Sequence, residues 1–481
     1  MHDIRVFYTH IEVSNYTKGD DEDLERYLSK YDRVRHKDIP VCYYIENDTL
    51  YLPRGMSIPS LERKFKTRAT IMPKCDEYDK FMTAKILYEP RDRIQEEAVR
   101  FLRSEGEFQK GRVFTQLGLN LDTGDGKTYC MINAVVHQKM KAIIITHKSS
   151  LKEQWYDEIL DKSTLTKYDV MDLDGSDMML AVLKGKKSAN IYLVNHQTIR
   201  EFAKREGWES VREFFKVACI GIKVYDECHK YFNSTFMIDC FSNTSRSYYL
   251  TATFLRGDPK EEELFSMAFS NMYRFGEETL DYEEKRKHIV LIVIYYDSKP
   301  PLGTSVNNIC GFSDYLFIDY AFKLDENHTL EKVLRRILRQ SAKTPGRTLI
   351  TSPKIESVEK VKEILEDEVE GTIGTIHSKN TDEDNEFGFK KADYISSTIQ
   401  SLGEGNDIKK LRKLINLDPV GSKVLADQLR GRLRMYSEED DTFMFYPVDV
   451  GFKETVEMFN RIYPVMKRKC KEIIKMNWFD L

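Results

Sequence analysis

Three short clusters in this chain have the residue types of phosphate chemistry. The first is Leu121-Asp-Thr-Gly-Asp-Gly-Lys-Thr128, set between the apolar run VFTQLGLNL and the helical stretch YCMINAVVHQK. Gly124 and Gly126 free the backbone of Thr123–Gly126 to wrap phosphate oxygens with N–H groups. Lys127 can reach β- and γ-phosphates, and the Thr128 hydroxyl suits Mg²⁺. The second cluster, Asp226-Glu-Cys-His229, ends the apolar run IGIKVY. A strand-end aspartate can hold Mg²⁺ through water, and the adjacent glutamate can take the proton of an attacking water. The third is Gln428-Leu-Arg-Gly-Arg-Leu-Arg434, whose arginines are the side chains that stabilise charge on a transferring γ-phosphoryl group.

Each cluster has a plain structural alternative: a chance glycine turn, a charged strand end, a solvated basic helix face. Their occurrence together, in this order, is what favours the chemical reading. Cys228 and His229 as metal ligands have no companion ligands nearby in the sequence.

Something must hold these clusters in place. From about residue 86, short apolar or β-branched runs alternate with helical stretches. The strand candidates include AIIIT, IYLVN, SYYLTAT, HIVLIVIYY, TIGTIH and DTFMFYP. Several are apolar throughout, as expected where helices cover both faces of a parallel sheet. Two successive sets predict two α/β domains, residues 86–285 and 286–481. Residues 1–85 read differently, as strand, helix, hairpin and helix, which predicts a small α+β domain. Its pieces are IRVFYTHIEV, DEDLERYLSKY, VCYYIENDTLYLPRG and SIPSLERKFK, with ATIMPKCDEYDK as the connection out. A final helix is expected over RIYPVMKRKCKEIIKMNWF.

The 481 residues suit about three domains. Lys and Arg total 74 and Asp and Glu 78, a net charge of −4, so a polybasic coat for nucleic acid is excluded while a local basic groove is not. The eight cysteines are scattered without a C-x-x-C pair, which argues against a zinc or disulfide framework and predicts a reduced intracellular protein with no disulfide-linked partner. The longest apolar run, Ile289–Tyr296, is far short of a membrane span, and the first residues lack the apolar core of a secretory signal.

TGDGKT, DECH, Thr251-Ala252-Thr253 and QLRGRLR, in that order, resemble motifs I, II, III and VI of superfamily 2 helicases. Gln95 resembles the upstream adenine-reading glutamine. The stretch from Thr146 resembles motif Ia, LVNHQTI with Thr198 resembles Ib, and the stretch through Ser352 resembles motif IV. Thr398 through Gly405 and Asp407 resembles motif V. The likeness covers about residues 86–450. Within the superfamily the chain looks most like the UvsW-type branch-migration helicases of bacteriophages, relatives of the RecG and XPB groups. Two positions depart from the pattern. Leu121 replaces a small residue at the start of motif I, and Arg434 falls one position early, with Met435 where the family has arginine.

The resemblance implies two tandem RecA-like domains, an N-terminal DNA-binding domain, and ATP with Mg²⁺ as cofactors. It assigns catalysis to Lys127, Asp226, Glu227, Gln428, Arg432 and Arg434, with Arg432 as the arginine finger. Nucleotide would be bound by Gln95, Thr123, Gly124, Asp125, Gly126, Lys127, Thr128, Gly405 and Asp407, and Mg²⁺ by Thr128 and Asp226 through water. Thr146, Thr198, Ser352 and Thr398 would touch nucleic acid. The implied function is a helicase or translocase acting on forked, four-way or single-stranded DNA in recombination, repair or replication, with other proteins of those processes as partners. It would work in the cytoplasm, a host cytoplasm if the phage likeness holds. The alternatives are an RNA helicase and the motor subunit of a multi-subunit restriction or repair nuclease. The absence of any Pro-Asp dipeptide argues against nuclease activity in this chain itself.

Overall fold

The computed structural model describes residues 2–32, 36–72, 82–104, 115–121, 125–228, 230–251, 259–276, 287–309, 311–402, 408–434 and 441–481. It divides into two compact units, Met1–Asp281 and Tyr282–Leu481.

The first unit opens with β1 (Ile4–Val6), β2 (His10–Ser14) and α1 (Glu22–Tyr27). A ribbon of β3 (Ser29–Asp32) and β4 (Lys37–Pro40) follows, then β5 (Tyr44–Glu46), β6 (Thr49–Pro53), α2 (Ile58–Phe65) and β7 (Ala69–Ile71). The sheet order is β5-β6-β2-β1-β7, antiparallel except for β1 with β7. Asn47 and Asp48 turn the β5–β6 hairpin with positive φ, as residues of their type can. Two expectations are corrected here. The helix expected over DEDLERYLSKY stops at Tyr27 because Ser29–Asp32 pairs with Lys37–Pro40 instead. The first residues of ATIMPKCDEYDK are not a connection, since Ala69–Ile71 pairs beside β1.

The rest of the first unit alternates as the periodicity requires. It contains α3 (Arg93–Arg103), β8 (Gln116–Asn120), α4 (Lys127–Gln138), β9 (Ala142–Thr146), α5 (Ser149–Lys162), β10 (Val170–Asp172), α6 (Ser176–Leu183) and β11 (Ile191–Asn195). Then come α7 (His196–Glu206), α8 (Trp208–Val217), β12 (Ile222–Tyr225), α9 (Phe232–Cys240), β13 (Arg246–Thr251), α10 (Pro259–Ala268) and β14 (Tyr273–Phe275). The seven strands are all parallel, in the order β10-β11-β9-β12-β13-β8-β14.

Alternate residues of each strand enter different cores. Ile144, Leu193, Val224 and Leu250 pack on one face with α3, α4 and α5. Ile143, Ile145, Val194, Tyr225 and Tyr249 pack on the other. That second core runs on without a break into Ile4, Val13, Leu50 and Leu52 of the N-terminal sheet. The junction is polar as well as apolar: Arg212 reaches Glu12 at 3.1 Å, Lys30 reaches Glu261 at 2.7 Å, and the Gly55 N–H donates to Met267 O at 2.9 Å. A Cβ at Gly55 would sit 2.6 Å from that carbonyl, so only glycine permits the approach.

The second unit contains β15 (Ile289–Tyr296), a β16 (Asn307–Asn308) and β17 (Gly311–Phe312) hairpin, α11 (Asp314–Asp319) and a π-helical turn at Tyr320–Leu324. Next are α12 (Thr329–Ser341), β18 (Arg347–Ser352), α13 (Ile355–Glu368), β19 (Ile373–Ile376), α14 (Asp382–Lys390) and β20 (Tyr394–Thr398). The chain ends with β21 (Leu411–Asn416), α15 (Lys423–Arg430), β22 (Thr442–Asp449), α16 (Lys453–Lys469) and β23 (Glu472–Asn477). Its sheet is again seven parallel strands, β19-β20-β18-β21-β22-β15-β23, between two apolar cores. The final helix expected over RIYPVMKRKCKEIIKMNWF is corrected: it ends at Lys469, and Glu472–Asn477 becomes an edge strand on β15. The backbone groups along β15 gain partners that way, which a longer helix would leave unmet.

One buried polar hub ties β12, β13 and α9 together. Asp239 sits 2.5 Å from the Lys223 ammonium and accepts from the hydroxyls of Tyr225 at 2.7 Å and Tyr249 at 2.6 Å. Removing the ammonium would leave a buried carboxylate without its counter-charge. Lys223→Met is therefore expected to destabilise the first unit by about 3–5 kcal/mol, read from urea unfolding. A loss under about 1 kcal/mol would show that the two tyrosines alone hold Asp239.

Candidate nucleotide site and strand groove

Strand β8 delivers the chain into the Leu121–Thr128 loop, and α4 begins at Lys127. Gly126 caps that helix with φ +84, a left-handed conformation that favours glycine. The cap is held from outside. Gln95 is buried on α3, donates from Nε2 to Asp125 O at 3.1 Å and accepts the Arg91 N–H at 2.9 Å. A Cβ at Gly126 would lie 2.3 Å from Gln95 Nε2. The glutamine thus fixes the loop as well as marking its neighbourhood. Lys127 donates to Leu121 O at 3.0 Å, and Leu121 is fully buried in the core under α4. A leucine at that position is accommodated because its side chain leaves the loop and enters the core. Thr128 follows on the first turn of α4, where backbone N–H groups favour an anion.

Strand β12 ends at Tyr225 and presents Asp226 and Glu227 at the same edge of the sheet. Glu227 takes a positive φ of 50. The Asp226 N–H donates to Ile145 O at 3.0 Å, which locks the turn to β9. Burial, and then the neighbouring Glu227, push the Asp226 carboxyl well up from its ordinary value. The indole N–H of Trp155, 2.9 Å from Oδ2, and the charges of Lys127 and His147 pull it back down. The charge of Lys127, 99 positions earlier in the sequence, thus reaches Asp226. A half-buried carboxylate and a lysine at a helix N-terminus, on the same sheet edge, are groups of the kind that Mg²⁺ with a polyphosphate uses. The residues present fit that group.

Thr146 and Thr198 are brought to the same edge, at the end of β9 and after β11. Both hydroxyls are committed to protein. Thr146 is fully buried and donates to Lys148 O at 3.1 Å, and Thr198 donates to Asn195 Oδ1 at 3.0 Å. In the second unit Ser352 is fully buried and donates to Ser357 Oγ at 2.5 Å. Thr398 ends β20, donates to Ser401 Oγ at 2.7 Å and lines an open groove. The four hydroxyls brace strand-end loops, and of them Thr398 reaches a cavity. Around motif VI, Asp427 is held by Arg430 at 2.8 Å and Lys469 at 2.7 Å. Arg430 is buried in that pairing, whereas Gln428, Arg432 and Arg434 are half-buried. Arg432 also reaches Leu402 O at 3.4 Å. Thr123, Gly124, His229, Ala252, Thr253, Gly405 and Asp407 lie outside the described residues.

Sequence reasoning missed Trp155 as the partner of Asp226. The residue stands in the quoted motif Ia stretch, but only the fold shows that its indole meets a carboxylate 71 positions later.

Residues 88–256 match the family described as "Type III restriction enzyme, res subunit". The span runs from just before α3 past β13 and takes in the nucleotide loop and the Asp226–Glu227 turn. Over 153 residues, 32% of this chain, the sequence is 26% identical to DNA 3'-5' helicase XPB of Kineococcus radiotolerans, and that match spans 26% of the relative's length. Both likenesses are to superfamily 2 helicases. The fold is that of tandem RecA-like helicase domains. S. cerevisiae Dbp5 bound to RNA and ADP BeF3 superposes with a TM-score of 0.53 at 14% identity, over 81% of this chain and 90% of that one. The DEAD-box helicase Mss116 bound to ssRNA and UDP-BeF gives 0.52 at 14% identity, over 80% and 74%. Phage T4 UvsW aligns over 99% of this chain and 100% of its own at 14% identity, but its TM-score of 0.36 is too low to support the narrower UvsW-type likeness.

Among the described residues no helix is long and apolar enough to cross a membrane, and no cluster of three metal-ligating side chains occurs. Among the described residues, Cys42, Cys130, Cys219, Cys228, Cys240 and Cys470 form no disulfide.

The Trp155–Asp226 bond gives a direct test of the candidate nucleotide site. Trp155→Phe keeps a buried ring and removes the donor, so Asp226 should hold its proton more tightly and compete less well for Mg²⁺. Magnesium-dependent binding of a fluorescent ATP analogue is expected to weaken by about tenfold. Unchanged affinity would show that the indole only packs.

Proposed function

We propose that this chain is an ATP-driven motor that moves along one strand of DNA and remodels forked or four-way junctions. The reading rests chiefly on one observation: β8 leads to Lys127 at the start of α4, and β12 leads to Asp226 and Glu227, at the same edge of one parallel sheet. When bound, Mg-ATP supplies the phosphoanhydride whose cleavage drives the cycle. Lys127 binds its β- and γ-phosphates, with Thr123, Gly124, Asp125 and Gly126 as the backbone cradle and Gln95 at the base. Thr128 and Asp226 hold the metal through water. Glu227 accepts the proton of the attacking water, Gln428 and Arg432 stabilise charge on the transferring group, and Gly405 and Asp407 couple it to the strand. Thr146, Thr198, Ser352 and Thr398 belong to the loops that grip the phosphodiester backbone, which is largely blind to sequence.

DNA is favoured over RNA by the description of the XPB relative as a DNA helicase. Residues 1–85 are the proposed arm-binding domain, through Arg63, Lys64, Lys66 and Arg68 at and beyond the end of α2; Lys64 pairs with Asp21 in the free protein. Residues 86–285 and 286–481 are the two motor domains, working inside the cell. A second reading, the motor subunit of a multi-subunit restriction or repair nuclease, draws support from the description of the matched family.

ATPase assays with duplex, single-stranded, forked and four-way DNA alongside RNA test the substrate. Junctions should stimulate most, and stimulation by RNA alone would overturn the DNA reading. Two substitutions test the chemistry. Glu227→Gln should bind Mg-ATP normally and lose about 10²–10⁴ in turnover, as expected when a general base is removed. Arg432→Ala should lose about 10³–10⁵ in turnover without a change in melting temperature, and Arg434→Ala less, given its shifted position. Equal severe losses at both arginines would show that the finger is not Arg432 alone.

A further inference from the structure

The groove that Thr398 lines lies wholly within the second unit and measures about 770 Å³. Much of its lining comes from strand ends of the sheet. Lys354 follows β18, Lys379 follows β19, and Thr398, Gln400 and Ser401 end and follow β20. These are polar side chains, and Lys379 and Gln400 are exposed. The first turn of α13 adds Ile355 and Glu356, and α14 adds Asn385. One further lining residue is Tyr315, on α11, in the segment between β15 and α12 that carries none of the quoted helicase motifs.

Tyr315 is 43% exposed. The helix itself is firmly seated. Ser313 caps it by accepting the Leu316 N–H at 3.4 Å, Phe317 and Ile318 are buried, and Phe317 packs edge-on against Phe452 with ring centroids 5.8 Å apart. The ring is also fixed from the groove side. The Lys354 ammonium lies 5.3 Å from its centroid and pairs with Asp319 one turn further along. An aromatic ring on a seated helix at the rim of a lysine-bearing groove presents a flat face to a flat partner. A second feature points to a ligand here. His377 is 5% exposed and lines the groove; its Nε2 meets Glu359 at 2.7 Å, while its buried Nδ1 meets no hydrogen-bond partner among the described residues.

We propose that Tyr315 is a base-stacking platform, on which a nucleobase of the single strand gripped beside Thr398 lies flat. The inference rests on the reading of this unit as a strand-binding motor domain and adds to it the part of the strand that is held. Hydroxyls and ammonium groups at strand ends hold phosphate; a tyrosine ring holds base, and holds any base because every base has a π-face. Lys354 keeps the ring in place by its charge on one side and its pairing with Asp319 on the other. The single strand is thereby distinguished from a duplex, whose bases are covered by one another.

The test compares a deoxythymidine oligonucleotide with an abasic deoxyribose-phosphate oligomer of the same length, by fluorescence anisotropy on the full chain. Tyr315→Ala is expected to weaken binding of the thymidine strand by about five- to hundred-fold and to change binding of the abasic strand less than about twofold. Tyr315→Trp, which keeps a π-face, should bind both as the unaltered protein does. Equal losses on the two strands, or no loss on the thymidine strand, would overturn the stacking role. Failure of the unaltered protein to bind either strand would instead reject the strand-binding reading itself.

Discussion

The constraint behind everything else in this protein is that parallel strands cannot be joined by tight turns. Each must be followed by a crossover, and the crossovers are overwhelmingly of one hand. Every strand of both seven-stranded sheets therefore ends at the same edge as its neighbours, and the loops leaving those ends are forced together. In the first unit that edge collects the loop after β8, Thr146 after β9, the turn after β12 and Thr251 at the end of β13. In the second it collects Lys354, Lys379 and Thr398 around one groove. Chemistry at these edges follows from topology; the residue types decide which chemistry.

The same constraint demands that both sheet faces be covered, because a half-covered parallel sheet would leave apolar side chains in water. The covering is asymmetric in the first unit. Helices α3, α4 and α5 close one face, while the other shares its core with the N-terminal sheet. The ion pair between Arg212 and Glu12 and the close approach at Gly55 fix that junction. The N-terminal sheet is thereby joined to the parallel sheet by packed side chains rather than by a loose tether.

Charge is handled differently at the two kinds of position. Buried charges that serve the fold are closely paired, as Lys223 with Asp239 and Arg430 with Lys469 on Asp427. Asp226 is half-buried and accepts the Trp155 indole N–H, and desolvation with the neighbouring Glu227 carboxylate pushes its carboxyl up from the ordinary range. A fold built for stability alone would avoid that arrangement. The Mg²⁺ proposed here would offset that crowding of negative charge.

The sequence by itself determined the class of chemistry and the architecture that carries it. Apolar runs with helical stretches between them leave few arrangements other than covered parallel sheets, and Gly126-Lys127-Thr128 after such a run can hardly sit elsewhere than at a helix N-terminus. It also determined the β5–β6 hairpin, through Asn47 and Asp48. What it left open were the features that depend on distant partners. Whether Glu472–Asn477 prolongs a helix or adds a strand depended on the free edge of β15, about 180 residues away in the chain. The use of Trp155, the burial of Thr146 and Ser352, and the seat of Tyr315 at the groove were likewise decided by neighbours that only the folded chain supplies. Local spacing specifies which groups can react; burial and distance, which are properties of the whole fold, decide which of them are in reach.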